Sequence, residues 1–227
     1  PDYARLGMGH VVELGRLRDE EIDVLRGLVY ALSVCAPPKV GVWLGDQKLA
    51  MRTTDALVRS LGAEGAIATD TIALAGAEQE GDLCFSISVG AKPDPDADGI
   101  FLAWVNGTPC NEGTHAKYVL TKAVDALFGR IRAKAKGKED PLLNVKPKAI
   151  RDEMFVVCTL LVRNPRFTSQ QKTELASSVS EFGFSWSPTD RFQTQLAKSE
   201  LASRAVELGS RNADKQIAKA IKPKSRD

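Results

Sequence analysis

The sequence predicts an α+β fold in which one sheet carries helices on one face. Residues 83–89 (LCFSISV) alternate apolar and polar side chains, as in a half-buried strand. Residues 154–162 (MFVVCTLLV) are almost wholly apolar and rich in β-forming residues, which is typical of a central strand. The segments that begin at residues 114 and 189 repeat apolar residues at helical spacing.

The first part of the chain predicts one helix and two short extended segments. Residues 19–32 (DEEIDVLRGLVYAL) should form a helix with acidic residues in its first turn, where the helix dipole favours them. Its apolar face would contain Ile22, Leu25, Val29 and Leu32. Pro37-Pro38 should end this helix, and extended segments are expected at 39–44 and 47–51 around a Gly45-Asp46 turn.

The middle of the chain predicts a hairpin followed by a long helix. The Gly- and Ala-rich stretch 62–81 is weakly patterned and is the candidate domain boundary. Residues 92–99 (KPDPDADG) should form an exposed turn that joins the strand at 83–89 to a returning strand at 100–105 (IFLAWV). Thr114 should be the N-cap of the helix that follows. The apolar face of this helix would contain Val119, Ala123, Leu127 and Ile131.

The last part of the chain predicts the central strand, a loop and a final helix. Asn164-Pro165 should end the central strand, and a helical stretch should run from about residue 189 to residue 221. Its candidate apolar contacts are Leu196, Leu201, Val206, Leu208 and Ile217.

Composition argues against several classes of protein. The 227 residues carry a net charge of +2, and 43% are hydrophobic, as in an ordinary globular protein of one or two domains. No apolar run approaches the roughly 20 residues that span a bilayer, so no membrane segment is expected. The four cysteines form no C-x-x-C pair and only two histidines are present, which predicts a reduced intracellular protein without a metal site.

Motifs that carry catalysis are missing from the sequence. It contains no G-x-x-x-x-G-K-[ST] loop and no G-x-G-x-x-G turn after a strand. Glu80-Gly81-Asp82 superficially resembles an acidic metal-binding turn, but the predicted strand follows the acids instead of running into them. We therefore assign no catalytic residue and expect the chain by itself to catalyse nothing.

Three stretches of sequence, in this order, carry a resemblance to a known family. The first is residues 1–8 (PDYARLGM), followed by a helix with Arg26 and Tyr30 and by residues 42–46 (VWLGD). The second is residues 103–106 (AWVN), which lead into residues 112–119 (EGTHAKYV). The third is residues 164–172 (NPRFTSQQK), with residues 181–183 (EFG) beyond it. Together they resemble the ATPase region of type IIA DNA topoisomerases, and the Phe-Thr-Ser-Gln form resembles eukaryotic or viral members.

This resemblance implies a fold and a function. The fold would be an S5-like two-layer α/β transducer domain with a C-terminal helix at residues 66–227, preceded at residues 1–65 by the C-terminal part of a GHKL ATPase domain. The chain would be a segment of a longer, ATP-dependent topoisomerase, in which the transducer couples ATP binding and hydrolysis to DNA strand passage and contacts the transported duplex.

The resemblance also implies cofactors, partners and a location. ATP with magnesium would be bound mostly by residues upstream of this chain. The partners would be double-stranded DNA and the rest of the topoisomerase chain, with a homodimer for the full-length enzyme and a monomer for this segment. The location would be the nucleus, or the host nucleus or a viral factory for a viral enzyme.

Gln170, Gln171 and Lys172 match the family's Q-T-K loop, with Gln171 in place of the Thr. The resemblance implies that Lys172 pairs with the terminal phosphate of ATP and that Gln170 positions the loop or the phosphates. The residues alone also allow a capped helix start, because Thr168 followed by Gln171 fits a capping box and would leave Lys172 solvated.

A basic run is expected at the end of the predicted long helix. Its members are Arg130, Arg132, Lys134, Lys136 and Lys138. The ordinary interpretation is a solvated helix end, because the helix dipole favours cations there. The resemblance implies that Arg132, Lys134 and Lys136 face the cavity that holds the transported DNA, and such binding would be sequence-independent and salt-sensitive.

Two further alternatives remain at this level. The stretch from Gly113 to His115 is most simply a turn with an N-cap, and a cationic imidazole should be disfavoured at a helix N-terminus, so we do not assign His115 as a base. The alternative function is a non-catalytic nucleic-acid-binding module with an S5-like fold, which would share the sheet and the basic helix end but would need no Q-x-K loop.

Overall fold

The computed structural model describes residues 19–36, 40–50, 52–75, 83–137 and 140–221. The helices are α1 (Asp19–Cys35), α2 (Thr54–Ser60), α3 (Thr114–Arg132), α4 (Pro147–Asp152), α5 (Asp190–Lys198) and α6 (Glu200–Ile221). The strands are β1 (Trp43–Leu44), β2 (Gln47–Lys48), β3 (Ala68–Ala73), β4 (Leu83–Ala91), β5 (Ile100–Val105), β6 (Thr108–Pro109), β7 (Glu112–Gly113), β8 (Met154–Leu160) and β9 (Glu174–Leu175). The predicted α+β class is confirmed.

The main sheet has five strands in the order β3-β4-β8-β5-β6. β8 is central, as predicted, and pairs antiparallel with β4 and parallel with β5. The predicted hairpin of β4 and β5 is therefore wrong, because β8 lies between them. β8 takes this central place because an apolar strand needs cover on both faces. The connection from β4 to β5 can pass over β8, because residues 92–99 are long enough to cross the distance of about 10 Å between strands on either side of a third.

One face of the sheet packs against the helices of the second half of the chain. α3 places Val119, Ala123, Leu127 and Ile131 against this face, and each is at most 4% exposed. The predicted apolar face of α3 is therefore confirmed. α5 and α6 extend the same core through Phe192, Leu196 and Leu201.

The opposite face of the sheet is covered by α1 and α2. Leu57 and Val58 of α2 pack against Phe155 and Val157 of β8. On the same face, the hydroxyl of Thr54 lies 3.0 Å from that of Ser86 and 2.7 Å from that of Ser88. The prediction of a half-buried strand at 83–89 is wrong for this reason, since β4 is buried from Cys84 to Ala91.

α1 lies where it was predicted, but the face that it buries is not the predicted one. Leu25 and Leu32 are 49% and 52% exposed, whereas Ala31 is 4% exposed and contacts the core cluster behind β5 and β8. Apolar residues occur on two overlapping stripes of this helix, and only the stripe around Ala31 packs against described residues. The extended segments at 39–44 and 47–51 reduce to the two-residue strands β1 and β2, joined by a turn with Gly45 at φ 60°.

The weakly patterned stretch 62–81 contains the edge strand β3, which the sequence did not predict. Its carboxylate, Asp70, is buried and accepts hydrogen bonds from the indole N–H of Trp186 and from the backbone N–H of Thr189, both at 3.0 Å. The domain division at about residue 65 stays a prediction.

The predicted final helix is two helices. The chain leaves helical geometry at Ser199, with φ −75° and ψ 161°, and its hydroxyl donates to the carbonyl of Leu196 at 2.7 Å. A serine that bonds the preceding backbone in this way competes with helix continuation. Leu196 and Leu201 are fully buried, and Val206 and Leu208 are half-buried, while the side chain of Ile217 lies outside the described residues.

Candidate functional site

Residues 166–177 form a short hairpin after the central strand. The backbone N–H of Ala176 donates to the carbonyl of Arg166 at 2.8 Å, and that of Thr168 donates to Glu174 at 3.1 Å. The alternative of a capped helix start is therefore wrong. The hydroxyl of Thr168 donates to the carboxylate of Glu174 at 3.1 Å instead, which closes the hairpin below its tip.

Gln170, Gln171 and Lys172 occupy the tip of the 166–177 hairpin, and all three are exposed. Lys172 has φ 57°, and its backbone N–H donates to the carbonyl of Ser169 at 3.2 Å. Its ammonium nitrogen lies 5.9 Å from the centre of the Phe167 ring and forms no ion pair with any described carboxylate. The tip therefore presents an unpaired cation to solvent.

The hairpin is attached to the start of α3. β9, in one leg of the hairpin, pairs in parallel with β7, where Gly113 is opposite Leu175. Gly113, not Thr114, is the N-cap of α3, so the predicted N-cap is wrong by one residue. The Thr114 hydroxyl donates to the hairpin carbonyl of Ser177 at 2.6 Å instead.

His115 is buried in the first turn of α3. Its Nε2 donates to the carbonyl of Cys110 at 2.7 Å, because a carbonyl oxygen can only accept. Burial lowers the pKa of His115 from its ordinary value, and the hydrogen bond to Cys110 only partly offsets this. The expectation that a cation is disfavoured here is thus confirmed, with burial as the main cause.

The basic run divides into one residue that is hydrogen-bonded to another helix and three that form no ion pair with a described carboxylate. The Arg130 guanidinium donates to the amide oxygen of Gln193 at 3.2 Å and to Asp190 at 3.1 Å, so it ties α3 to α5. The free cations are Arg132, Lys134 and Lys136, which are exposed and form no ion pair with a described carboxylate. Lys138 lies outside the described residues.

Asp140 closes the loop that contains Lys134 and Lys136. Its carboxylate accepts the backbone N–H of Lys136 at 2.8 Å and that of Leu142 at 2.9 Å. These two bonds lower the pKa of Asp140. Asp140 therefore fixes the backbone positions of Lys136 and Leu142.

The hairpin tip and the basic end are at opposite ends of α3. This helix has 19 residues, so its ends are about 28 Å apart at a rise of about 1.5 Å per residue. α3, packed along the sheet, therefore lies between the two candidate sites.

The described part of the chain contains no reactive thiol with a lowered pKa and no metal-binding cluster. The four cysteines are free thiols, and burial raises the pKa of Cys35 to about 12 and that of Cys158 as well. Among the described residues, no group of His, Cys, Asp and Glu side chains could hold a metal ion.

Glu80-Gly81-Asp82 and residues 1–8 lie outside the described residues. In the described ranges, each helix is too short or too polar to cross a bilayer.

Sequence patterns missed the attachment of the hairpin to α3. Thr114 and Ser177 are 63 positions apart, and no local periodicity reports a contact at that separation. The one local signal is Gly113: a helix start does not require glycine, so its presence indicates that another part of the chain approaches closely there.

Comparison with known proteins places these features in a family. The family model described as DNA gyrase B matches residues 67–224. A DNA topoisomerase 2 of Meyerozyma guilliermondii is 30% identical over 225 residues, which is 90% of this chain and 15% of the relative. A DNA topoisomerase 2 of Saccharomyces cerevisiae is 25% identical over 97% of this chain and 15% of its own length. The chain thus spans about 15% of the length of these relatives.

Solved structures show the same fold. The ATPase region of Saccharomyces cerevisiae topoisomerase II has a TM-score of 0.65 at 22% identity and covers 92% of this chain and 48% of the yeast chain. The ATPase and transducer domains of Balamuthia mandrillaris DNA topoisomerase II also have a TM-score of 0.65 at 22% identity, over 89% of this chain and 46% of theirs.

Proposed function

Because this chain belongs to the type IIA DNA topoisomerase family, we propose that it is the transducer region of an ATP-dependent enzyme that passes one DNA duplex through another. Residues 66–227 would be the transducer and residues 1–65 the end of the GHKL ATPase domain. The observation that carries the proposal is the free ammonium of Lys172 at the tip of a braced hairpin.

The backbone at Lys172 supports a functional reason for this residue. A left-handed conformation costs a residue with a Cβ about 1–2 kcal/mol, and glycine or asparagine would adopt it more readily. Nothing in the described structure requires a lysine here, since its side chain is exposed, forms no ion pair and lies 5.9 Å from the centre of the Phe167 ring, at the outer limit of a cation–π contact. A strained residue with no structural task is the kind found at ligand contacts.

The described residues fit one contact to a nucleotide, not a whole nucleotide site. Lys172 can pair with a phosphate as a point charge, and the exposed amides of Gln170 and Gln171 can donate to phosphate oxygens. In the described ranges there is no cluster of carboxylates for magnesium. ATP and its magnesium would therefore be held mainly by residues outside this chain, and Lys172 would sense whether the terminal phosphate is present.

The other end of α3 supports a contact with DNA. Arg132, Lys134 and Lys136 are the free cations there, and exposed cations bind phosphates without reading sequence. Arg130 is engaged with α5, so we do not include it in the DNA contact. Double-stranded DNA, a homodimeric full-length enzyme and a nuclear location are parts of this proposal.

The experiment replaces Lys172 in the complete enzyme. Lys172→Asn removes the charge and readily adopts the left-handed backbone. Lys172→Ala also removes the charge but does not favour that backbone. A charged hydrogen bond of about 1.5–3 kcal/mol corresponds to about a 10- to 150-fold loss in rate, so we expect ATP turnover and supercoil relaxation to fall by that factor in both variants.

Lys198→Ala is the matched control, because Lys198 is also exposed but lies at the end of α5. We expect this variant to behave as wild type. If ATP turnover and relaxation were unchanged in both Lys172 variants, the switch role of Lys172 would be wrong.

A further inference from the structure

The hydroxyl of Thr114 connects the start of α3 to the far leg of the 166–177 hairpin. It lies 2.6 Å from the carbonyl oxygen of Ser177 and 3.3 Å from that of Leu175. A hydroxyl has one hydrogen to donate, so the shorter contact to Ser177 is the main bond. Ser177 is 1% exposed, and water cannot easily replace Thr114 as its partner.

The helix start and the hairpin leg are in direct backbone contact. A Cβ added at Gly113 would lie 2.2 Å from the carbonyl oxygen and 2.6 Å from the nitrogen of Leu175. Because these are backbone atoms, no side-chain movement could relieve the clash. Gly113 therefore permits an approach that brings the Thr114 hydroxyl within reach of the hairpin.

A second set of contacts holds Thr173, the residue after Lys172. Its carbonyl accepts the backbone N–H of Glu112 at 3.3 Å and the thiol of Cys110 at 3.4 Å. The imidazole of His115 in turn donates to the carbonyl of Cys110. Both ends of the leg from Thr173 to Ser177 are thus bonded to residues 110–115.

Ser177, whose carbonyl accepts the Thr114 hydroxyl, also closes the base of the hairpin. The backbone N–H of Arg166 donates to the Ser177 hydroxyl at 2.8 Å, and the Ser177 N–H donates to the carbonyl of Arg166 at 3.2 Å. Lys172 is therefore presented by a hairpin whose two legs are joined to each other and, through Thr114, to α3.

We propose that Thr114 is a positioning residue that makes the hairpin and α3 move as one body. The inference rests on the proposed function of Lys172 as a phosphate sensor. A displacement of Lys172 is passed to the first turn of α3 and along its length of about 28 Å to Arg132, Lys134 and Lys136. Thr114 acts through the hairpin, because its hydroxyl donates to the carbonyl of Ser177 within the fold.

The test compares Thr114→Val with Thr114→Ser in the complete enzyme. Valine has nearly the shape of threonine but has no hydroxyl, whereas serine keeps the hydroxyl. Thr121→Val is the matched control, because Thr121 lies on the exposed side of the same helix. The first measurement is amide hydrogen exchange of residues 168–177, and the second is the factor by which DNA stimulates ATP turnover.

We expect Thr114→Val to raise exchange in residues 168–177 by about 3- to 10-fold, as loss of one hydrogen bond predicts. The stimulation by DNA should fall, ATP turnover without DNA should change less, and Thr114→Ser should restore both measurements. Unchanged exchange, or faster exchange with full stimulation by DNA, would overturn the positioning role.

The Lys172 variants separate this inference from the proposed function. If they are impaired and Thr114→Val is not, only the positioning role is wrong. If Lys172→Ala leaves ATP turnover and relaxation unchanged while Thr114→Val raises amide exchange, the sensor role of Lys172 is wrong. Thr114 then makes only a structural contact, and the positioning role is wrong as well.

Discussion

Lys172 and His115 show how single residues of this chain are placed against their ordinary preferences. Lys172 holds a left-handed backbone at an exposed tip, and His115 keeps an imidazole buried in the first turn of α3. In each case the surrounding contacts determine the conformation, because the hairpin legs hold the tip and the carbonyl of Cys110 holds the ring.

At the residue scale, His115 should make stability depend on pH. Burial lowers its pKa below the ordinary 6.5 in the folded state, so the unfolded chain binds the proton more readily. The contribution of His115 to stability is complete above about pH 6.5 and is lost as the pH falls below that value, with a limiting slope of about 1.4 kcal/mol per pH unit. Chemical unfolding of the protein between pH 7.5 and pH 5.5 measures this loss.

His115→Gln is the control for this prediction, since glutamine can donate to Cys110 but does not titrate. Its free energy of unfolding should vary less over the same range. An NMR titration that shows the His115 imidazole, assigned by its absence in the variant, protonating at or above pH 6.5 would contradict the prediction.

At the element scale, α3 combines a packing face with two different ends. Its buried stripe was predictable from residues spaced four apart, but the contacts of each cation depend on the side chains around it. Arg130 meets Gln193 and Asp190 of α5, whereas Arg132 lies 4.8 Å from the ring of Phe128 on its own helix. Two arginines at one helix end therefore have different partners.

Substitution should separate these tasks. Arg130→Ala should lower the free energy of unfolding by about 1 kcal/mol, since it removes two partly exposed hydrogen bonds between α3 and α5. It should leave the salt dependence of DNA binding nearly unchanged. The measurements are chemical unfolding and DNA binding by the complete enzyme over a range of salt concentrations.

The contrasting variant replaces Arg132, Lys134 and Lys136 by alanine together. It should unfold like wild type but reduce the slope of log K against log salt by about 0.9 for each phosphate contact that is lost. An unaltered slope would show that these cations do not contact DNA. A reduced slope in Arg130→Ala would show that Arg130 had been wrongly left out.

At the scale of the whole molecule, the sheet is covered on both faces. α3, α5 and α6 pack on one face, and α1 and α2 pack on the other. The second cover comes from residues that precede the predicted boundary at about residue 65. The transducer as predicted, residues 66–227, would therefore leave Phe155, Val157 and Trp104 without the side chains of Leu57 and Val58.

Two truncated proteins test this arrangement. Residues 52–227 retain α2 with its N-cap, whereas residues 66–227 do not. The burial of Leu57 and Val58 contributes about 1.5–3 kcal/mol each, so the shorter protein should unfold at a lower temperature and bind an apolar dye. Equal stability of the two proteins would show that α2 is not part of the core and would support the boundary at 65.

The sequence by itself determined that α1, α3, β4, β5 and β8 form, that β8 is central, and which face of α3 is buried. These properties depend on local periodicity and on a run of apolar residues long enough to need cover on both sides. The sequence also singled out residues 170–172, through their resemblance to the family's Q-T-K loop, and the role of Lys172 stays a prediction.

Only the tertiary structure decided how these elements meet. β8 separates β4 from β5, α2 buries Ser86 and Ser88, and Thr114 binds a carbonyl 63 positions away. The physical reason is that periodicity describes the faces of one element. The partner of each face is selected by packing and hydrogen bonding across the whole chain, where a serine can be buried if a threonine opposite completes its bonds.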